Sequence, residues 1–267
     1  MDARRERLLG WYRDRSRDLP WRRSTDPYPV LVSEVMLQQT QVDRVIPKFE
    51  AFLRRFPSVD SLAAADLGDV LEMWHGLGYN SRAKRLRDAA RVIAADGWPT
   101  DEAGLQTLPG IGPYTAAAVA SIAFGEQVPA VDTNLKRVIS RWRGLPLEGA
   151  PLTEAAMDEL GDAPAGDWNQ AVMDLGATTC RPRNPRCHDC PVQAWCVDPT
   201  VYVPPPRQSR FEGSLRQVRA RILRDLADGP LPMSDVTEID VRADEAVVAL
   251  EKDGMVTVNG DRVSLAG

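Results

Sequence analysis

The four cysteines of this 267-residue chain are spaced Cys180-x6-Cys187-x2-Cys190-x5-Cys196. Four thiolates that close together hold a zinc ion or a 4Fe–4S cluster. In a cytoplasmic chain, such crowding reads as metal binding before disulfides. Arg181, Arg183 and Arg186 lie in the first gap, on a loop that a metal centre would pin at both ends and present to phosphates. Two carboxylates stand in distinctive strings: Glu34 in Val32-Ser33-Glu34-Val35-Met36-Leu37-Gln38-Gln39-Thr40-Gln41-Val42, and Asp132 in Val131-Asp132-Thr133-Asn134-Leu135. Asp132 is placed to N-cap a helix from Thr133, which would keep it ionised. Glu34 alone reads as an ordinary helix glutamate. Between them runs Leu108-Pro109-Gly110-Ile111-Gly112-Pro113-Tyr114-Thr115. Gly110 and Gly112 permit a tight turn, and the N–H groups of a helix starting there can hold a phosphate.

The elements that must position these residues are helical. Apolar spacing follows a helix through most of the first 175 residues, with no internal repeat and little strand alternation before residue 200. Breakers such as Phe56-Pro57, Gly76-Leu77-Gly78 and Pro109-Gly110 divide it into many short helices. Residues 1–200 therefore read as one mostly α core. The run Tyr202-Val203-Pro204-Pro205-Pro206-Arg207 makes 201–210 an extended linker. Residues 211–267 read as a separate small module, with helices over 215–227 and 241–253 and a hairpin over 256–265 turning at Asn259-Gly260. That pattern fits a winged-helix-like module, or an α+β cap without a DNA role.

Composition sets bounds. With 43% apolar residues the chain can bury a sizeable core, and no apolar run reaches the roughly 18 residues of a membrane span. The N-terminus leads into a charged helix with no signal peptide, so a cytoplasmic, nucleoid-associated protein without membrane contact is expected. The net charge of −5 argues weakly against DNA. From Asp228 onward, however, there are nine acidic and three basic residues, so the remaining 30 basic and 29 acidic residues leave the rest near +1.

Taken in order, the Glu34 string, Trp74-His75-Gly76-Leu77-Gly78-Tyr79, the glycine hairpin, Asp132 and the cysteines resemble the MutY adenine DNA glycosylase family, over about residues 9–196. That family is part of the endonuclease III superfamily of helix-hairpin-helix, iron–sulfur DNA repair enzymes. The resemblance implies a mostly α, two-lobed fold that flips a nucleotide into a cleft. It implies a 4Fe–4S cluster on Cys180, Cys187, Cys190 and Cys196, with zinc as the minor alternative. It also implies a monomer acting on double-stranded DNA that holds a mispair or lesion, with no small-molecule cofactor beyond the cluster.

Roles follow from the same resemblance. Glu34 would be the general acid that protonates the departing adenine. An ordinary glutamate is protonated at pH 7 only about one part in 500, so its pKa must be raised. Asp132 would stabilise the sugar cation, as in other glycoside cleavage, with Tyr114 and Asn134 assisting. Related lyases carry a Schiff-base lysine where this chain has Tyr114, so efficient strand cutting is not expected. Gln39, Thr40, Gly110, Gly112, Tyr79, Asn80, Arg181, Arg183 and Arg186 would contact DNA, a tyrosine at the Tyr79-Asn80 position wedging into the duplex. Arg17, Leu19, Trp21 and Arg22 would line the base pocket, although Trp21 fits a core position equally. The chain departs from the pattern at Asn80, where many members have a second tyrosine, and at Asp132-Thr133-Asn134, commonly Asp-Gly-Asn. It also lacks a recognisable Nudix-like C-terminal pattern. Three rivals remain: a thymine or uracil mismatch glycosylase, an endonuclease III-like lyase, and a non-catalytic iron–sulfur DNA-binding protein.

Overall fold

The computed structural model describes residues 2–201, 204 and 210–266. Most of the expected linker at 201–210 lies outside the described residues. In chain order the helices are α1 (Ala3–Arg15), α2 (Pro27–Leu37), α3 (Val42–Arg55), α4 (Val59–Ala63), α5 (Leu67–Trp74), α6 (Ser81–Asp96), α7 (Glu102–Leu105), α8 (Pro113–Ala123), α9 (Thr133–Arg143), α10 (Gly149–Leu160), α11 (Ala165–Thr178), α12 (Leu215–Asp225), α13 (Met233–Thr237) and α14 (Ala243–Lys252). The strands are β1 (Leu231–Pro232), β2 (Val256–Asn259) and β3 (Arg262–Leu265). The fold is mostly α with a small C-terminal α+β module. Among the described residues no helix is long and apolar enough to cross a membrane.

The chain divides into two compact units, one of residues 1–34, 99–107 and 111–207, the other of 35–98, 108–110 and 208–267. In the first, α1, α9, α10 and α11 enclose an apolar core around Trp142, Trp168, Leu135 and Leu175. The fully buried Asn169 braces this unit. Its Nδ2 donates to Ser121 Oγ (2.9 Å) and the Val128 carbonyl (3.0 Å), and its Oδ1 accepts from Ala130 N (2.9 Å). These bonds satisfy the irregular segment that runs from α8 towards Asp132.

The second unit holds edge-to-face aromatics, Phe52 with Phe56 at 5.0 Å and Phe52 with Trp74 at 6.2 Å between ring centres. Its C-terminal part runs α12, β1, α13, α14, β2, β3, with sheet order β1-β3-β2, all antiparallel. Three details differ from the sequence reading. The helix expected over 241–253 starts at Ala243, and the short helix α13 precedes it. A third strand, β1, pairs Leu231 with Val263; two residues are too few to show alternation. Asn259 pairs with Arg262, so Gly260 and Asp261 form the turn, with Gly260 at φ 62°. A two-residue hairpin turn needs that positive φ, and glycine supplies it without strain.

Gly110 is required on two counts. Its φ is 76°, and a Cβ there would lie 2.6 Å from the Arg85 Cβ. A clash with a stem atom fixed to α6 cannot be relieved by side-chain rotation. Gly110→Ala is expected to lower the unfolding free energy by about 1–3 kcal/mol, read from urea denaturation midpoints at unchanged slope.

Candidate active site and iron–sulfur loop

Glu34 sits on α2 with only 5% of its surface exposed. The Tyr114 hydroxyl, from the first turn of α8, donates to its Oε2 at 2.7 Å. Burial pushes the Glu34 carboxyl up to about 7; the Tyr114 hydrogen bond and the Arg22 charge oppose the rise, and the Asp132 charge adds to it. Tyr114 is driven well above its ordinary value by burial and by the Glu34 and Asp132 charges, so it stays a neutral donor.

Asp132 is the N-cap of α9. Its Oδ1 accepts from Leu135 N at 2.6 Å and its Oδ2 from Asn134 Nδ2 at 2.8 Å. Burial raises its pKa, opposed by those hydrogen bonds and by the Arg137 charge. The two carboxyls therefore differ in kind. Asp132 has two donors and a cation supporting its charged form, whereas Glu34 has one donor, the charge of Arg22 and a repelling neighbour. The charged form is thus better supported at Asp132 than at Glu34.

The chain of contacts continues. Asn134 Oδ1 accepts from Arg137 Nη2 at 2.8 Å, and Arg137 also donates to the carbonyls of Gly176 (2.8 Å) and Cys180 (2.8 Å). Gly176 makes this approach possible: a Cβ there would fall 2.6 Å from the Asn134 Cβ.

The expected pocket residues divide. Leu19 and Trp21 are buried. Arg17 and Arg22 converge on the buried Asp174 of α11: Arg22 donates twice, at 2.6 and 2.8 Å, and Arg17 Nε once, at 2.6 Å. The Arg22 guanidinium lies 5.6 Å from the centre of the Tyr12 ring. A bidentate arginine pair of this kind is strong and fixes orientation. Burial would raise the Asp174 pKa, but the hydrogen bonds and charges of Arg22 and Arg17 outweigh it and hold the carboxyl below its ordinary value.

No disulfide joins the four cysteines, and each is partly buried. Among the described residues, no three acidic, histidine or cysteine side chains gather as a single-ion site. The thiols instead line one cavity of about 220 Å³, together with Arg141, Trp142, Leu175 and Pro185. Arg141, 2% exposed, organises its wall. It donates to Cys180 Sγ (3.2 Å) and to the carbonyls of Arg181 (2.8 Å), Pro182 (3.1 Å) and Val201 (3.0 Å). Burial raises the Cys190 and Cys196 thiols to about 11; ligation would have to draw their protons off. Four thiols around a void of this size fit a polynuclear cluster. Arg181, Arg183 and Arg186 are all exposed, as phosphate contact requires.

In the second unit, Arg82 is 8% exposed and donates to the carbonyls of Val35, Met36, Leu77 and Gly78 and to Thr40 Oγ1. It thereby ties the end of α2 to the loop after α5. Burial lowers its pKa to about 10. Thr40 also donates to the Leu77 carbonyl at 3.3 Å. Asn80 is the N-cap residue of α6, with no side-chain cap bond. Gly112 N-caps α8. Among the described residues, the non-glycine positions with left-handed backbone are Gln39 (φ 58°), Tyr79 (49°) and Asn184 (51°). Gln39 and Tyr79 are expected DNA contacts and Asn184 lies between two more, Arg183 and Arg186. Strained backbone clusters at functional sites.

Residues 32–162 match the family described as HhH-GPD superfamily base excision DNA repair protein, and residues 180–196 match the iron-sulfur binding domain of endonuclease III. The chain is 41% identical over 283 residues to an adenine DNA glycosylase of Mycobacterium tuberculosis, covering 97% of this chain and 92% of that protein. The chain belongs to the adenine DNA glycosylase family. A human adenine DNA glycosylase is 43% identical over 212 residues, covering 73% of this chain and 39% of that protein. Among solved structures, a thermostable thymine-DNA glycosylase is 30% identical with TM-score 0.67, covering 72% of this chain and 93% of its own. A trapped endonuclease III–DNA covalent intermediate, at 20% identity and TM-score 0.63, shares the fold and covers 74% of this chain and 98% of its own.

The four-cysteine loop of this adenine DNA glycosylase family member is thus an iron–sulfur site. Asp174, Arg137, Arg141 and Arg82 are functional neighbours that the sequence reading missed. For Asp174 a signal existed: a charged residue inside the apolar stretch Ala171-Val172-Met173-Asp174-Leu175. For the arginines there was none, because surface and buried arginines look alike in a helical pattern.

Two outcomes are expected. The folded-state pKa of Glu34 is raised from 4.5 to about 7, so between those values the native protein holds a proton that the unfolded chain has lost. The stability contributed by Glu34 is then fully present below about pH 4.5 and lost as pH rises through about 7, by about 3 kcal/mol in all. Glu34→Gln should lack that loss and show a flatter profile in chemical denaturation across about pH 5–8. Gly176→Ala should displace Asn134 and slow single-turnover base release by about 10²-fold, with circular dichroism unchanged.

Proposed function

We propose that the chain is a monofunctional base-excision DNA glycosylase that hydrolyses the N-glycosidic bond of adenine mispaired with 8-oxoguanine or guanine. The observation that carries this reading is the pair of buried carboxyls, Glu34 with a pKa of about 7 bonded to Tyr114, and Asp132 held by Leu135 and Asn134. Glu34 delivers its proton to the departing base, and Tyr114 orients the carboxyl through Oε2. Asp132, supported in its charged form by its cap bonds, answers the positive charge that develops on the sugar. Water then completes hydrolysis. Tyr114 has no amine, which supports base release without a Schiff base. Arg17, Leu19, Trp21 and Arg22 are assigned to the base pocket. Gln39, Thr40, Tyr79, Asn80 and the hairpin glycines Gly110 and Gly112 are assigned to duplex contact, and Arg181, Arg183 and Arg186 to phosphates.

The cluster is read as 4Fe–4S on Cys180, Cys187, Cys190 and Cys196, because their spacing is that of the endonuclease III iron–sulfur loop that residues 180–196 match. When bound, it supplies four metal–thiolate bonds that pin both ends of the arginine loop. Residues 1–200 are assigned to the glycosylase core and 211–267 to an appended winged-helix-like module.

The 30% identity to a thymine-DNA glycosylase favours a second reading, removal of thymine or uracil opposite guanine. Single-turnover base release from A opposite 8-oxoguanine, A opposite G, T opposite G and U opposite G separates the two. Adenine release should dominate and fall about 10²–10⁴-fold in Glu34→Gln, the usual value of general acid catalysis. Release of T or U without A would overturn the adenine reading.

A further inference from the structure

Within the second unit, the C-terminal module is seated on the helices that flank Tyr79. Leu265 of β3 packs 3.6 Å from where a Cβ of Gly68, on α5, would stand. The Lys84 side chain of α6 lies 3.4 Å from the same point of Gly254, between α14 and β2. Tyr79 occupies the loop joining α5 to α6, with a left-handed backbone at φ 49° and 36% of its surface exposed. Arg216, in the first turn of α12, reaches this ring. Its Nη1 donates to the Tyr79 hydroxyl at 2.6 Å, and its guanidinium lies 5.0 Å from the ring centre. The Arg82 guanidinium, from α6, is 5.7 Å from the same ring.

A cation in the first turn of a helix opposes the macrodipole, and α12 has no acidic residue in that turn to offset it. The Arg216 Nη2 also donates to the Arg210 carbonyl at 3.4 Å, ahead of the helix. At Tyr79, Arg216 adds a charge-assisted hydrogen bond and a cation–π contact to an exposed aromatic ring. The ring is thereby held in one orientation although its backbone is strained and part of its surface faces solvent.

We propose that Arg216 is a positioning residue: the C-terminal module holds Tyr79 in the orientation that enters the base stack at a mispair. Arg216 acts on the hydroxyl and the ring face, and Arg82 fixes the loop carbonyls of Leu77 and Gly78. The module thus contributes to mispair engagement through one side chain. The inference rests on the reading of Tyr79 as a duplex wedge.

The test uses the full-length, cluster-loaded protein and a duplex carrying 2-aminopurine beside an A opposite 8-oxoguanine mispair. Insertion of a side chain unstacks the reporter and brightens it on binding. Tyr79→Ala should abolish the increase. Arg216→Ala should remove most of it and slow single-turnover release roughly 10-fold, the order expected for one lost charge-assisted aromatic contact. The double variant should be no worse than Tyr79→Ala alone. Arg216→Lys, which keeps the charge, should recover part of the signal. Arg219→Ala, on the same helix but bridged to Asp253, should keep the full increase. If Arg219→Ala lost as much signal as Arg216→Ala, the effect would belong to α12 as a whole and the proposal would fall. A full increase in Arg216→Ala, alongside its loss in Tyr79→Ala, would overturn the proposal and leave the wedge reading standing. An unchanged increase in Tyr79→Ala would overturn both.

Discussion

Two carboxyl groups in one desolvated site cannot both carry full charge cheaply, and the surroundings decide which one does. Here the decision is made by hydrogen-bond supply. Asp132 receives the Leu135 N–H and the Asn134 amide, with Arg137 behind them. Glu34 receives the Tyr114 hydroxyl. The rest of the site is arranged around preserving this difference. Helix α9 must begin at Thr133 for the cap to form, and α8 must begin at Pro113 for Tyr114 to reach Oε2. Asn169 satisfies the irregular chain that joins the two.

Buried arginines carry out most of the positioning. Each places several N–H donors against carbonyls that regular secondary structure leaves unused. Arg137 spans α9, α11 and the carbonyl of Cys180; Arg141 gathers the loop around the cysteine cavity; Arg82 closes the end of α2 onto the loop after α5. Arg17 and Arg22 differ, since their partner is a carboxylate. Removing Asp174 would strand two cations in a part-buried setting, a larger penalty than the loss of one surface pair. Glycines set the limits of approach. At Gly176 the backbone of α11 comes so near Asn134 that no Cβ fits.

The fold class, the helix-rich core and the cysteine site were legible because each depends on local spacing or on an unusual residue in a distinctive string. The Asp132 cap was readable from residue type alone. The partnerships were not. Arg137 to Cys180 and Arg22 to Asp174 join residues 43 and 152 positions apart, and nothing in a periodic pattern predicts which arginine turns inward. Trp21 was ambiguous for a related reason: a large aromatic is apolar in a core and in a pocket alike. In the C-terminal module, α12, α14 and the hairpin were visible, and the five-residue α13 was not. The two-residue strand β1 and the turn at Gly260-Asp261 were not, because register is fixed by pairing across strands.

The acidic excess of the chain has a structural location. Asp244, Glu245 and Glu251 belong to α14, and Asp235 and Glu238 to α13 and its C-cap. The first helix of the same module, α12, carries Arg216, Arg219, Arg221 and Arg224. Net charge is therefore a poor guide to what this protein binds. A polyanion responds to the charges within about 10 Å at ordinary salt, so the face it meets matters more than the sum over the chain. The acidic residues of α14 weigh against a DNA role for that helix. The arginines of α12 set it apart from that acidic face, and its first turn is also where Arg216 grips Tyr79. Charge placement and side-chain geometry thus single out the same helix for independent reasons.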